Sequence, residues 1–270
     1  MRGLALIPFE VRRIARRRWV QVGAAAGIAL AAAAVAVAAT HEGLAREDAL
    51  RRGGASLLLL GGLALALTLG SAALNRDAHA GHLGALVGNG ASRPDLVTGA
   101  LGARWAILLA VVAAWTVVMQ AGSLALGMGL DGPLAVHALA VAEGLALALI
   151  ACAAASAVVA PVAAGMFGAS VYVVAQAAVN LKAAADQGLI GTADTLVTAL
   201  YTVGPRAVTS PMIADMQLRE VAGPAAPRVE INDNTVIVPA AGWGTVVWTL
   251  LWCVLLALLC AAGMRRRPIT

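Results

Sequence analysis

Few residues of this 270-residue chain are of types that do chemistry: four histidines, three cysteines, one lysine and a glutamate set inside a long apolar run. A phosphate-binding loop of the form G-x-x-x-x-G-K-[ST] needs a lysine directly after glycine. The sole lysine, Lys182, follows Leu181, so the chain carries no such loop. Gly168-Ala169-Ser170 places a serine between small residues, but a nucleophilic serine needs a base, and no histidine follows His137. Ser170 reads as a helix-interface residue. His79 and His82 are three apart with no third ligand beside them, too few for zinc. Cys152, Cys253 and Cys260 lie in apolar stretches without metal spacing and read as small packing residues. The expectation is a chain that is not an enzyme, with no cofactor or metal of its own.

Glu143 and His137 are different, because both stand within an apolar run long enough to cross a bilayer. Ionisable groups at that depth are costly and turn toward a cavity or a partner helix. Six residues apart on a helix, they project about 120° away from each other, so they are a candidate intramembrane polar site but not a direct pair.

The elements that must position these groups follow from composition. The chain is 61% hydrophobic and 12% charged, with a mean hydropathy of +0.85. Soluble domains are about 25% charged, so this surface cannot face water throughout. The net charge of +5 does not point to nucleic acid, because about half of the basic residues fall in Arg2–Arg18 and Arg265–Arg267 beside apolar runs. That is the positive-inside pattern of a polytopic membrane protein.

A helix needs roughly 20 residues to cross about 30 Å of hydrocarbon. Stretches at about 19–39, 55–74, 105–127, 134–181 and 241–263 qualify, and the fourth is long enough for two. Proline disfavours helix at the residue before it, so Ala160-Pro161 divides that stretch into 134–159 and 161–181. The expected fold is an all-α polytopic membrane protein of six transmembrane helices forming one domain, 1–270. Arginines at both ends place both termini in the cytoplasm, which an even number of spans requires. The first apolar run exceeds the 7–15 residues of a signal h-region, so it reads as a retained helix rather than a cleaved leader.

Three parts lie between or beside the spans. Residues 4–18 mix Phe9, Val11 and Ile14 with arginines and read as an amphipathic helix in the membrane interface, among lipid headgroups. Residues 75–104 form a glycine-rich cytoplasmic loop in which 77–87 can be helical before Gly88-Asn89-Gly90 breaks it. Residues 182–240 form the largest outer loop, with a helix expected over 194–201 and a weak strand or hairpin over 228–238. Lys182 and Asp186 read as an interfacial pair.

The run Asn-Arg-Asp-Ala-His-Ala-Gly-His-Leu-Gly-Ala-Leu-Val at 75–87, followed by Ser92-Arg93 and Gly99, resembles the cytoplasmic loop of ABC-2-type transporter permeases. A charged pair, a Gly-x-Leu-x-x-Leu stretch and a Ser-Arg are matched here at Arg76, Asp77, Gly81, Leu83, Leu86 and Arg93. Gly90-Ala91 replaces the proline often found before the Ser-Arg, and Ala100 replaces a lysine. The resemblance implies a permease subunit of an ABC exporter in the cell (inner) membrane. Two such chains, identical or related, would pair to form the translocation path. The segment around 77–87 would be a coupling helix seated on a separate cytoplasmic ATPase that uses the ATP. Other readings of the residues are an anchoring or assembly protein binding an envelope partner through 182–240, an integral membrane enzyme, and a proton-coupled carrier using Glu143. No nucleic-acid partner is expected.

Overall fold

In the computed structural model, residues 2–71, 73–74, 92–188, 193–210, 212 and 242–265 are described. These residues are helical or loop, with no strand among them. In chain order the helices are α1 (Arg2–Ala15), α2 (Arg18–Ala39), α3 (Gly43–Ser71), α4 (Arg93–Ala125), α5 (Gly132–Ser156), α6 (Pro161–Asp186), α7 (Asp194–Val203) and α8 (Trp243–Arg265). Six of them, α2 to α6 and α8, are long and apolar enough to cross a membrane.

The break at Ala160-Pro161 falls as the proline requires: α5 ends at Ser156, and α6 starts with Pro161 in its first turn. Two helices start well before the apolar runs that announced them. α3 begins at Gly43 rather than near 55, and α4 begins at Arg93 rather than 105. The start of α4 has a local cause. Ser92 Oγ accepts from the Asp95 amide, Asp95 reaches back to the Ser92 amide, and Pro94 occupies the first turn. Such a reciprocal cap satisfies amide donors that a helix start leaves open. The part of the expected loop from 93 to 104 is therefore helix.

α5 is the axis of the bundle, with 72% of its apolar window buried against 17% for α2. Leu145, Leu147 and Leu149 are fully enclosed along it. Glycines let neighbours approach closely: a Cβ at Gly62 of α3 would stand 2.4 Å from a Leu145 methyl. Gly70 of α3 and Gly168 of α6 both abut Cys152 in the same way. Cys152 is thus a packing residue between three helices. Within α3, residues Leu57–Gly61 widen into a π-helical turn, the kind of irregularity that often borders functional sites.

α1 runs 2–15 rather than 4–18, because Arg17 turns extended to cap α2. Ile14 is buried, with Leu6, Ile7 and Val11 packed on the core, while Arg12 and Phe9 are exposed. Its seat is α4. Gly99 and Gly102 leave a shallow bed where a Cβ would meet Leu6 at 2.9 Å and Ile7 at 2.7 Å.

Candidate functional site

Of the residues matched to the permease loop, Arg76, Asp77, Gly81, Leu83 and Leu86 lie outside the described residues, as do His79, His82 and 228–238. The mountings on either side of 75–91 are described. On the side of α3, the carbonyls of Leu69 and Ala73 are those a helix end leaves without partners. Arg104 of α4 supplies the donors: Nε to Leu69 O at 3.1 Å and Nη2 to Ala73 O at 2.8 Å. Nη1 donates to Ala100 O of its own helix at 3.0 Å. Arg104 is only 2% exposed. It is not a loop residue, as the sequence suggests, but a buried clasp between the end of α3 and the body of α4.

On the side of α4, Arg93 Nη1 donates to Met264 O near the end of α8 at 3.0 Å. Asp95, besides capping α4, accepts from the Gly3 amide at 2.7 Å. One carboxylate therefore serves the first turns of both α4 and α1, where negative charge is favoured by the helix dipole. The described residues that flank 75–91 thus lie where α1, α3, α4 and α8 are joined by hydrogen bonds.

The second candidate region lies along α5. His137 is buried, and its Nδ1 is 2.8 Å from Ser210 Oγ, while its Nε2 has no partner among the described residues. It lines a cavity of about 230 Å³ with Ser56, Tyr172, Gln176 and Thr209. Tyr172 and Gln176 are joined through the phenol oxygen, which accepts from Nε2 at 3.1 Å. Glu143 is half-buried and lines a second cavity, of about 460 Å³, with Val136, Leu139 and Trp243. The two cavities share Ala140 and the extended segment Val208–Ser210. The helix thus puts His137 and Glu143 on neighbouring but separate cavities, as their angular spacing requires.

Sequence reasoning missed the strongest polar contact. Arg51 of α3 grips Asp131, the N-cap of α5, through Nε–Oδ2 at 2.8 Å and Nη2–Oδ1 at 3.1 Å. Arg51 also pairs with Glu47 at 2.5 Å. Gln120 brackets the Asp131 backbone, donating to its carbonyl at 2.6 Å and accepting from its amide at 2.9 Å. Gln120 is therefore committed to this joint and does not line either α5 cavity. The available signal was Asp131-Gly132-Pro133, an acidic cap followed by proline in the first turn.

The remaining candidates stand apart from both regions. Ser170 is exposed on α6, and Lys182 and Asp186 form an ion pair at its end. Among the described residues no three His, Cys, Asp or Glu side chains gather as a metal site would. No protein-family model and no curated protein matches the chain.

Proposed function

We propose that this chain is the transmembrane permease subunit of an ATP-binding-cassette exporter of the ABC-2 type. In this reading it sits in the cell (inner) membrane with both termini cytoplasmic. It pairs with a second permease chain, and a separate cytoplasmic ATPase docks on 75–93 through Arg76, Asp77, Gly81, Leu83, Leu86 and Arg93. Charge placement supports the orientation, since the arginine clusters flank the first and last spans.

The observation that carries the reading is the Arg104 clasp. An ATPase moves a permease between states only by binding them unequally. The docking segment must therefore be joined stiffly to the helices that move. Arg104 ties the end of α3 to α4, and Arg93 ties α4 to α8, at the two roots of that segment. A push on 75–91 would reach α3, α4 and α8 together instead of being absorbed in a slack loop.

The test is to purify the chain through a C-terminal tag in mild detergent and identify what accompanies it. A stoichiometric cytoplasmic ATPase, lost when 77–87 is altered, is the expected result. Purification alone, or with envelope proteins only, even after crosslinking, would remove this reading and favour an anchoring role for 182–240.

A further inference from the structure

The Glu143 cavity has a composition that selects its occupant. Val136 and Leu139, 47% and 72% exposed, and Val246 line it as an apolar groove open to the bundle surface, Thr209 contributes a hydroxyl, and Trp243, 85% exposed, stands at its edge. Glu143 is the only ionisable residue of the lining among the described residues. Its Oε1 is sealed from solvent and accepts no hydrogen bond from the described residues. A carboxylate withdrawn from water without a counter-charge is expensive, more so at membrane depth. A carboxyl so placed either holds its proton or takes a cation from the cavity that it lines.

The donor set separates the candidate cations. A calcium ion takes six to eight oxygen ligands, and magnesium demands a near-ideal octahedron. Here there is one carboxylate, the Thr209 hydroxyl and a Ser210 hydroxyl already engaged by His137. A cation with an apolar body fits better: its charge faces the carboxylate, its hydrocarbon covers the valine and leucine walls, and the Trp243 indole offers a π-face. At about 460 Å³ the cavity is within the range of small-molecule sites.

We propose that this cavity binds a lipophilic organic cation, with Glu143 as its counter-ion. That such a cation is cargo rests on the permease reading; binding itself needs neither the ATPase nor a second chain.

The experiment uses the full chain in phosphatidylcholine nanodiscs and two probes of matched shape and opposite charge, tetraphenylphosphonium and tetraphenylborate. Saturable phosphonium binding is expected, with borate failing to compete. Glu143→Gln keeps the side-chain volume and should weaken phosphonium binding by roughly thirtyfold or more, since removing one partner of a buried charge pair has effects of that order. Leu139→Trp adds bulk at the open side of the cavity with the carboxylate intact and should also weaken binding. It reads the site independently should Glu143→Gln elute or melt abnormally. Equal binding to wild type and Glu143→Gln, effective competition by borate, or no phosphonium binding to wild type would each overturn the proposal. A missing ATPase partner would end the permease reading and leave this site standing. Failed phosphonium binding would do the reverse.

Discussion

Arg51 and Asp131, eighty positions apart, meet fork to carboxylate in a buried joint between α3 and the first turn of α5. The carboxylate has a second duty there, accepting the Leu134 amide at 3.1 Å as a helix cap. Charge pairing and helix initiation are therefore held by the same two oxygens. That makes the joint a place where a single change has two costs.

Removing one partner of a buried pair strands the other charge, typically at about 3–5 kcal/mol. Arg51→Ala and Asp131→Ala should each lower the melting temperature in detergent sharply. The double variant should cost much less than the two single changes added together. Asp131→Asn, which can still cap α5, should fall between wild type and Asp131→Ala. Additive losses would show that the pair is not coupled.

The Arg104 clasp is a test of geometry rather than charge. Lysine keeps the positive charge but lacks the planar fork that reaches three carbonyls at once. Arg104→Lys should lower stability by about 1–3 kcal/mol, the cost of buried acceptors left unfilled. Amide exchange should accelerate first at the end of α3, near Leu69 to Leu74. Protection there equal to wild type would mean the fork is dispensable.

Two glycines of α2 form a matched pair for packing. A Cβ at Gly27 would lie 2.0 Å from the Trp115 indole, whereas one at Gly23 meets nothing within 4 Å. Trp115 is further held by its Nε1 donating to Ala24 O at 3.1 Å. Gly27→Ala should therefore destabilise by about 1–3 kcal/mol through overpacking. Gly23→Ala should be neutral or slightly stabilising, since alanine favours helix. A thermal-shift comparison of the two variants decides it.

The permease reading makes a prediction about two positions at its docking segment. Gly81→Pro and Arg93→Glu should abolish ATP-dependent export while the chain still inserts and purifies normally. Arg93→Ala controls for the lost bond to Met264 O. Full transport in both Gly81→Pro and Arg93→Glu would count decisively against ATPase docking on 75–93.

Much of the architecture was legible because bilayer thickness imposes a length that apolar runs display openly. The Ala160-Pro161 division, the α7 helix and the amphipathic α1 were legible for equally local reasons. The starts of α3 and α4 are less legible, because hydropathy places them later than the helices begin. Arg46 to Arg52 look like a loop by charge, and Arg93 to Arg104 look like one by glycine content, yet Ser92-Arg93-Pro94-Asp95 is a helix start written in local code. At the candidate site, Glu143 and His137 stood out as ionisable groups in an apolar run. Tyr172 and Ser210 did not, because a phenol or hydroxyl acquires its role only from partners that the fold brings from distant positions.

The order in which the chain is made treats the buried arginines Arg51 and Arg104 differently. When Arg104 emerges from the ribosome, the carbonyls of Leu69 and Ala73 already exist, so its charge can be clasped as soon as α4 lies against α3. Arg51 comes first and its main partner comes eighty residues later, an interval of about 4–16 s at ordinary synthesis rates of roughly 5–20 residues per second. Before then Glu47, one turn away on the same helix, can share its charge. α3 can therefore complete this contact only after the start of α5 has been made. The same joint that links α3 to α5 in the finished bundle is thus one that α3 cannot form with residues made before it.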